Sequence, residues 1–128
     1  MRQEKHIFEY AVIRVMPKVE REEFINVGVI LYCRPKGFLQ TSYILDKERL
    51  MAFSEELDLR EIEDRLKMFQ VICTGGSEGG TIGQLGIAER FRWLTASCST
   101  IVQTSPVHPG LCEDPQITLE RLLKQLVL

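Results

Sequence analysis

The stretch from Glu20 to Cys33, Glu-Arg-Glu-Glu-Phe-Ile-Asn-Val-Gly-Val-Ile-Leu-Tyr-Cys, limits the folds open to this chain more than any other. It is a charged turn followed by a long β-branched and aromatic run, the composition of a strand packed inside a sheet. Side chains alternate between the faces of a strand. Plain alternation puts Ile25, Val27, Val29, Leu31 and Cys33 on one face and Phe24, Asn26, Gly28, Ile30 and Tyr32 on the other. The first face is core. The second carries an amide and a bare patch of backbone between aromatic residues. Glycine inside a strand marks a bulge or a close approach by another group, so this segment is a packing device or one wall of a site.

Residues 6–15 form a similar run that ends at Met16-Pro17. If residues 17–22 close a hairpin, the register that keeps apolar faces together sets Arg14 beside Asn26, Val12 beside Gly28 and Tyr10 beside Ile30. Arg34-Pro35-Lys36-Gly37 is a tight turn, and residues 38–45 return as a third strand, completing an antiparallel meander.

Helical signals follow. Asp46 caps a short helix over 47–53, and Asp58 caps a longer one whose Leu59, Ile62, Leu66, Phe69 and Cys73 make one apolar stripe. Six of the nine glycines fall in residues 75–86, which predicts a mobile loop. Residues 87–96 read as a helix with Ile87, Phe91 and Leu94 inward, and residues 99–104 as a fourth strand ending in an extended Ser-Pro-Val-His-Pro-Gly turn. Asp114-Pro115 starts a last amphipathic helix carrying Leu119, Leu122, Leu123 and Leu126. Strands followed by helices imply an α+β fold: an antiparallel sheet of about four strands, with about three to four helices covering one face.

A chain of 128 residues suits a single domain over residues 1–128. Sixteen basic against eighteen acidic residues give a net charge of −2, which supplies no global field toward nucleic acid or an anionic membrane. No apolar run spans a bilayer and the N-terminus shows no apolar signal segment, so the expected location is the cytoplasm. Cys33, Cys73, Cys98 and Cys112 include no Cys-x-x-Cys pair and are expected as reduced thiols, with Cys33 and Cys73 buried.

No catalytic constellation is complete. The glycine-rich segment has Thr81 where a phosphate loop needs lysine, and it follows a helix instead of a strand. His108 and Cys112 are the closest ligand-type pair in a set completed only by Cys98 with Cys73 or His6, which argues against a metal site, and no cofactor is implied. Glu20, Glu22 and Glu23 sit in a charged turn, and Ser97, Ser99 and Ser105 lack the strand-turn-helix setting of an activated serine. What remains is a polar group of Arg14, Arg21, Asn26, Gly28, Arg90, Arg92, Trp93, Gln103 and His108. Arginines beside an aromatic residue bind carboxylate or phosphate, or pair at protein interfaces. The structural alternative is that Arg14 and Arg90 form internal ion pairs with Glu9, Glu23 or Glu89.

Four blocks carry a resemblance: Tyr10-Ala11-Val12-Ile13-Arg14-Val15, Glu20 through Val29, Glu89-Arg90-Phe91-Arg92-Trp93-Leu94-Thr95-Ala96, and Ser105-Pro106-Val107-His108-Pro109-Gly110. In this order they resemble the bacterial domain of unknown function 3037 family over nearly the whole chain. Genes of that family are described beside genes for HipA-like kinases. The resemblance therefore implies a bacterial cytosolic protein with such a kinase as partner, in a toxin-antitoxin or phage-defence setting. Together with the polar group, the expectation is a non-enzymatic protein-binding or regulatory module, with which a homo-oligomer is compatible. The alternative is a small enzyme or phosphate-ligand protein using Arg14, Arg90 and His108.

Overall fold

A computed structural model describes residues 4–17, 23–96 and 101–128. Strands β1 (His6–Val15), β2 (Ile25–Cys33) and β3 (Phe38–Tyr43) form the expected antiparallel meander, with a 3-10 turn at Arg34–Lys36 ending on Gly37 in the left-handed region (φ 57°). Helices α1 (Lys47–Phe53) and α2 (Leu59–Thr74) start where their caps predict: Asp46 accepts from the Arg49 N–H, and Asp58 from those of Arg60 and Glu61. Then come a short turn of helix α3 (Gly80–Gly83), α4 (Ile87–Leu94), β4 (Val102–Thr104), β5 (His108–Cys112) and α5 (Pro115–Leu126), the last capped by Asp114 with Pro115 in its first turn. The fold is α+β with a five-stranded antiparallel sheet in which β1 lies between β2 and a second edge shared by β4 and β5.

Four expectations change. The β1–β2 register holds at Arg14 opposite Asn26, but Ile13, not Val12, faces Gly28, because Val27 is an extra residue in a bulge. Beyond the bulge Val12 therefore opposes Val29, and Tyr10 opposes Leu31. The faces of β2 shift accordingly. Ile25, Val27, Ile30 and Tyr32 pack with Ala11, Ile13, Val15 and the α2 and α4 residues Ile62, Leu66 and Phe91. Val29, Leu31 and Cys33 pack on the opposite side with Phe8, Cys112 and the α5 residues Leu119 and Leu122.

Helices thus cover both faces of the sheet instead of one, since β1 and β2 are apolar on both sides and each side must be removed from water. The extended turn is in part a fifth strand: His108–Cys112 pairs with His6–Tyr10. Pro109 is tolerated there because β5 is an edge strand, and Gly110 is required because a Cβ would lie 2.5 Å from the Phe8 ring.

The glycine-rich segment is folded: the Gly76 N–H donates to Gly83 O at 2.7 Å, and a Cβ on Gly83 would collide with Gly76 O. Its glycines serve positive φ at Gly75, Gly76 and Gly80 and this close approach. The hairpin residues 18–22 and the start of the expected fourth strand lie outside the described residues.

Ser105 joins β4 to β5. Its N–H donates to Val12 O at 2.8 Å, and its Oγ accepts from the Val12 N–H at 2.8 Å, taking the place of the ladder that Pro106 cannot continue.

Candidate binding surface

Arg14 is the middle of a polar row that crosses three strands. It faces Asn26 of β2 on one side and Gln103 of β4 on the other. Phe24, just before β2, lies under the guanidinium, with Arg14 Cζ 4.0 Å from the ring centroid. Asn26 is oriented by its Nδ2, which donates to Leu126 O at the end of α5, 3.0 Å away. Asn26 Oδ1 and Arg14 Nε are buried atoms without a hydrogen-bond partner. No ion pair involving Arg14 occurs among the described residues.

Farther along the same face of β1, Tyr10 opposes the exposed His108, their ring centroids 5.4 Å apart. The spacing from Tyr10 to Arg14 is about 13 Å along the strand, so His108 shares the surface of Arg14 without touching it. Helix α5 packs over β2 and β3. The polar row and the Tyr10–His108 pair sit where β1 meets β4 and β5.

The other candidate residues lie elsewhere. Arg90 is on the side covered by α2 and α4, where it closes the C-terminal end of α2. Its Nη1 donates to Ile72 O and Cys73 O, both at 2.8 Å, and its Nε to Leu85 O at 3.1 Å. The Ile72 and Cys73 carbonyls are among those the end of α2 leaves unpaired. Gly75 makes room for the guanidinium, since a Cβ there would lie 2.7 Å from Nη1. The internal partners expected for Arg90 are carbonyls and not carboxylates.

Glu9 pairs instead with Arg92, through two contacts of 3.2 Å that tie α4 to β1. Trp93 is 48% exposed on α4. Gly28 is filled by packing against β3, with Tyr43 opposite. Arg21 lies outside the described residues. Arg14, Asn26, Gln103 and His108 therefore share one surface, and Arg90, Arg92 and Trp93 belong to the other side. Tyr10 and Phe24 complete the surface and were legible only as aromatic strand residues.

No group of three His, Cys, Asp or Glu among the described residues could hold a metal ion. Cys33, Cys73 and Cys112 are buried free thiols. Cys73 sits 3.1 Å from Thr41 Oγ1. Burial pushes its thiol from an ordinary 9.0 up to about 11, against the opposing pulls of the Thr41 hydroxyl and the Arg90 charge. It is protonated at neutral pH and is not a nucleophile.

The raised value carries a stability prediction. The unfolded chain ionises Cys73 at lower pH than the folded one, so stability from this group is intact below pH 9.0 and is lost as pH rises toward 11. The loss is on the order of 2 to 3 kcal/mol. Urea midpoints measured across that window should fall more steeply for the wild type than for Cys73→Val; parallel slopes would refute this.

The sequence model of one family, described as Protein of unknown function (DUF3037), matches residues 10–127. The chain belongs to this family. No curated protein matches it, and no solved structure matches it. The matched span of this DUF3037 member includes the polar row, the bulge and the Ser105–Gly110 connection. All four motifs that carry the resemblance thus have structural roles: Arg14 and Asn26 form the row, Arg90 closes α2, and Ser105 with Gly110 fits β5 against β1. No described helix is long and apolar enough to cross a membrane.

Proposed function

We propose that this DUF3037 protein is a non-enzymatic binding module that engages a protein partner through the β1–β4–β5 side of its sheet. The observation that carries the reading is the row Asn26–Arg14–Gln103 on a face whose covering helix packs over β2 and β3. A stacked arginine without a carboxylate among the described residues, next to aromatic and imidazole side chains, has the composition of an interface anchor. Among the described residues, Arg90 is consumed by three carbonyls, Ser105 by the β1 ladder, and Cys73 is held protonated.

The partner class implied by the family resemblance is a HipA-like kinase, in a cytoplasmic toxin-antitoxin or defence setting. Co-expression with a HipA-like kinase from the same genome should yield a complex that survives purification. Failure of the purified proteins to associate at micromolar concentration rejects the kinase as partner.

A further inference from the structure

We propose that the protein forms a homodimer in which the β3 strands of two copies pair antiparallel about a two-fold axis at Thr41, joining their sheets edge to edge. β3 is the edge opposite the β4–β5 side, so pairing there leaves the proposed partner surface free.

The two edges of the sheet differ in kind. The β4–β5 edge is divided into two short strands around Pro106 and carries Pro109, features that keep a sheet from pairing with a neighbour. β3 has neither. Its register against β2 runs without a bulge from Phe38 to Tyr43, and residues 38–45 contain no proline, glycine or charge.

The β2–β3 ladder fixes which groups are open. The Ile44 N–H donates to Val27 O, so Gln40 and Ser42 are the residues bonded to β2, and the N–H and C=O groups of Leu39, Thr41 and Tyr43 point away from it. No hydrogen bond from another described element reaches these backbone groups. A groove of about 580 Å³ runs along this edge, lined by Phe38 to Thr41 on β3 and by Gln70, Cys73 and Thr74 on α2. Leu39 lines it although its side chain belongs to the core.

Self-complementarity selects a second copy as the occupant. An axis at Thr41 pairs the outward groups entirely among themselves: Thr41 meets its counterpart, and Leu39 of each copy meets Tyr43 of the other, each pair exchanging two backbone bonds. On the face packed by α5, Gln40 meets Ser42, and Phe38 meets Ile44, an exposed isoleucine that gains an apolar neighbour. Past the ends of the ladder, the exposed Lys36 of one copy comes level with the exposed Asp46 of the other. An axis at Gln40 would set Lys36 level with Ile44, and one at Ser42 would set Phe38 against Asp46. Charge and apolarity match only at Thr41.

Sedimentation equilibrium of the full chain should give twice the monomer mass at micromolar concentration. Thr41→Pro removes the N–H at the axis without touching the β2 ladder; with a native circular dichroism spectrum, it should weaken association by about a hundredfold or more. Lys36→Glu, outside the strand, should weaken it by about tenfold, and adding Asp46→Asn, which keeps a helix-capping side chain, should recover part of that loss. Gln40→Cys combined with Ser42→Cys should cross-link two copies on oxidation faster than either single variant. Should Thr41→Pro fail to fold, Lys36→Glu and the cysteine pair decide. A wild type that is monomeric at micromolar concentration, or a dimer that Lys36→Glu does not weaken and the cysteine pair does not trap, overturns the proposal. Faster cross-linking by Gln40→Cys alone overturns the axis at Thr41.

Discussion

Arg90→Ala is expected to lower the stability of this protein by about 3 kcal/mol, read as a shift in the urea midpoint with an unchanged slope. The guanidinium holds three carbonyls at 2.8 to 3.1 Å: two in the last turn of α2 and one in the connection to α4. Removing it leaves partly buried acceptors without a donor, which costs more than a hydrogen bond contributes when made. Arg90→Lys should recover only part of the loss, because a single ammonium cannot reach all three acceptors in the geometry of the fork. The neighbouring Arg92 is the control. Its pair with Glu9 is bidentate, but the arginine side chain is 59% exposed, so Arg92→Ala should cost about 1 kcal/mol or less. Similar losses for the two alanine variants would mean that Arg90 acts through charge alone and not as a helix end-cap.

Gly28→Val should be at least as damaging, with a loss of about 3 kcal/mol or a failure to fold. A Cβ at Gly28 would lie 2.7 Å from Tyr43 Cβ and 2.8 Å from Ser42 O, so β2 and β3 could accept it only by separating. Gly37 isolates the backbone contribution: its φ is +57° and a Cβ there would meet nothing within 4 Å, so Gly37→Ala costs only the left-handed strain of about 1 kcal/mol. A Gly28→Val protein as stable as Gly37→Ala would show that the close approach of β2 and β3 is not required.

The same glycine explains which parts of the fold were legible in the sequence. Local chemistry sufficed for α1, α2 and α5, because Asp46, Asp58 and Asp114-Pro115 each satisfy N–H groups within three residues. The meander was legible from composition. The register was legible only as far as Arg14 and Asn26, because Val27 is inserted into β2 and an alternation rule carries no sign of an extra residue except the adjacent glycine. The fifth strand was hidden by Pro109, since a proline in a strand is admissible only at an edge and the sequence does not say where the edges fall.

The candidate site divides in the same way. Arg14 and Asn26 meet across a hairpin, a nearby pairing that sequence spacing predicts. Gln103 reaches Arg14 from a short strand 89 positions later in the chain, through pairing with β1. Arg90 looked like a companion to Arg14 because both are arginines near aromatic residues; only the packing of α4 against α2 reveals that its partners are carbonyls.

The affinity of a HipA-like kinase for the wild type, Arg14→Glu and Arg92→Glu tests the binding reading most directly. The wild type should associate at micromolar concentration, and Arg14→Glu should weaken binding by about a hundredfold or more, since it reverses the charge at the centre of the proposed interface. Arg92→Glu, on the other side of the sheet, should remain within about threefold of the wild type. No association by the folded wild type, or equal affinity of wild type and Arg14→Glu, would contradict it.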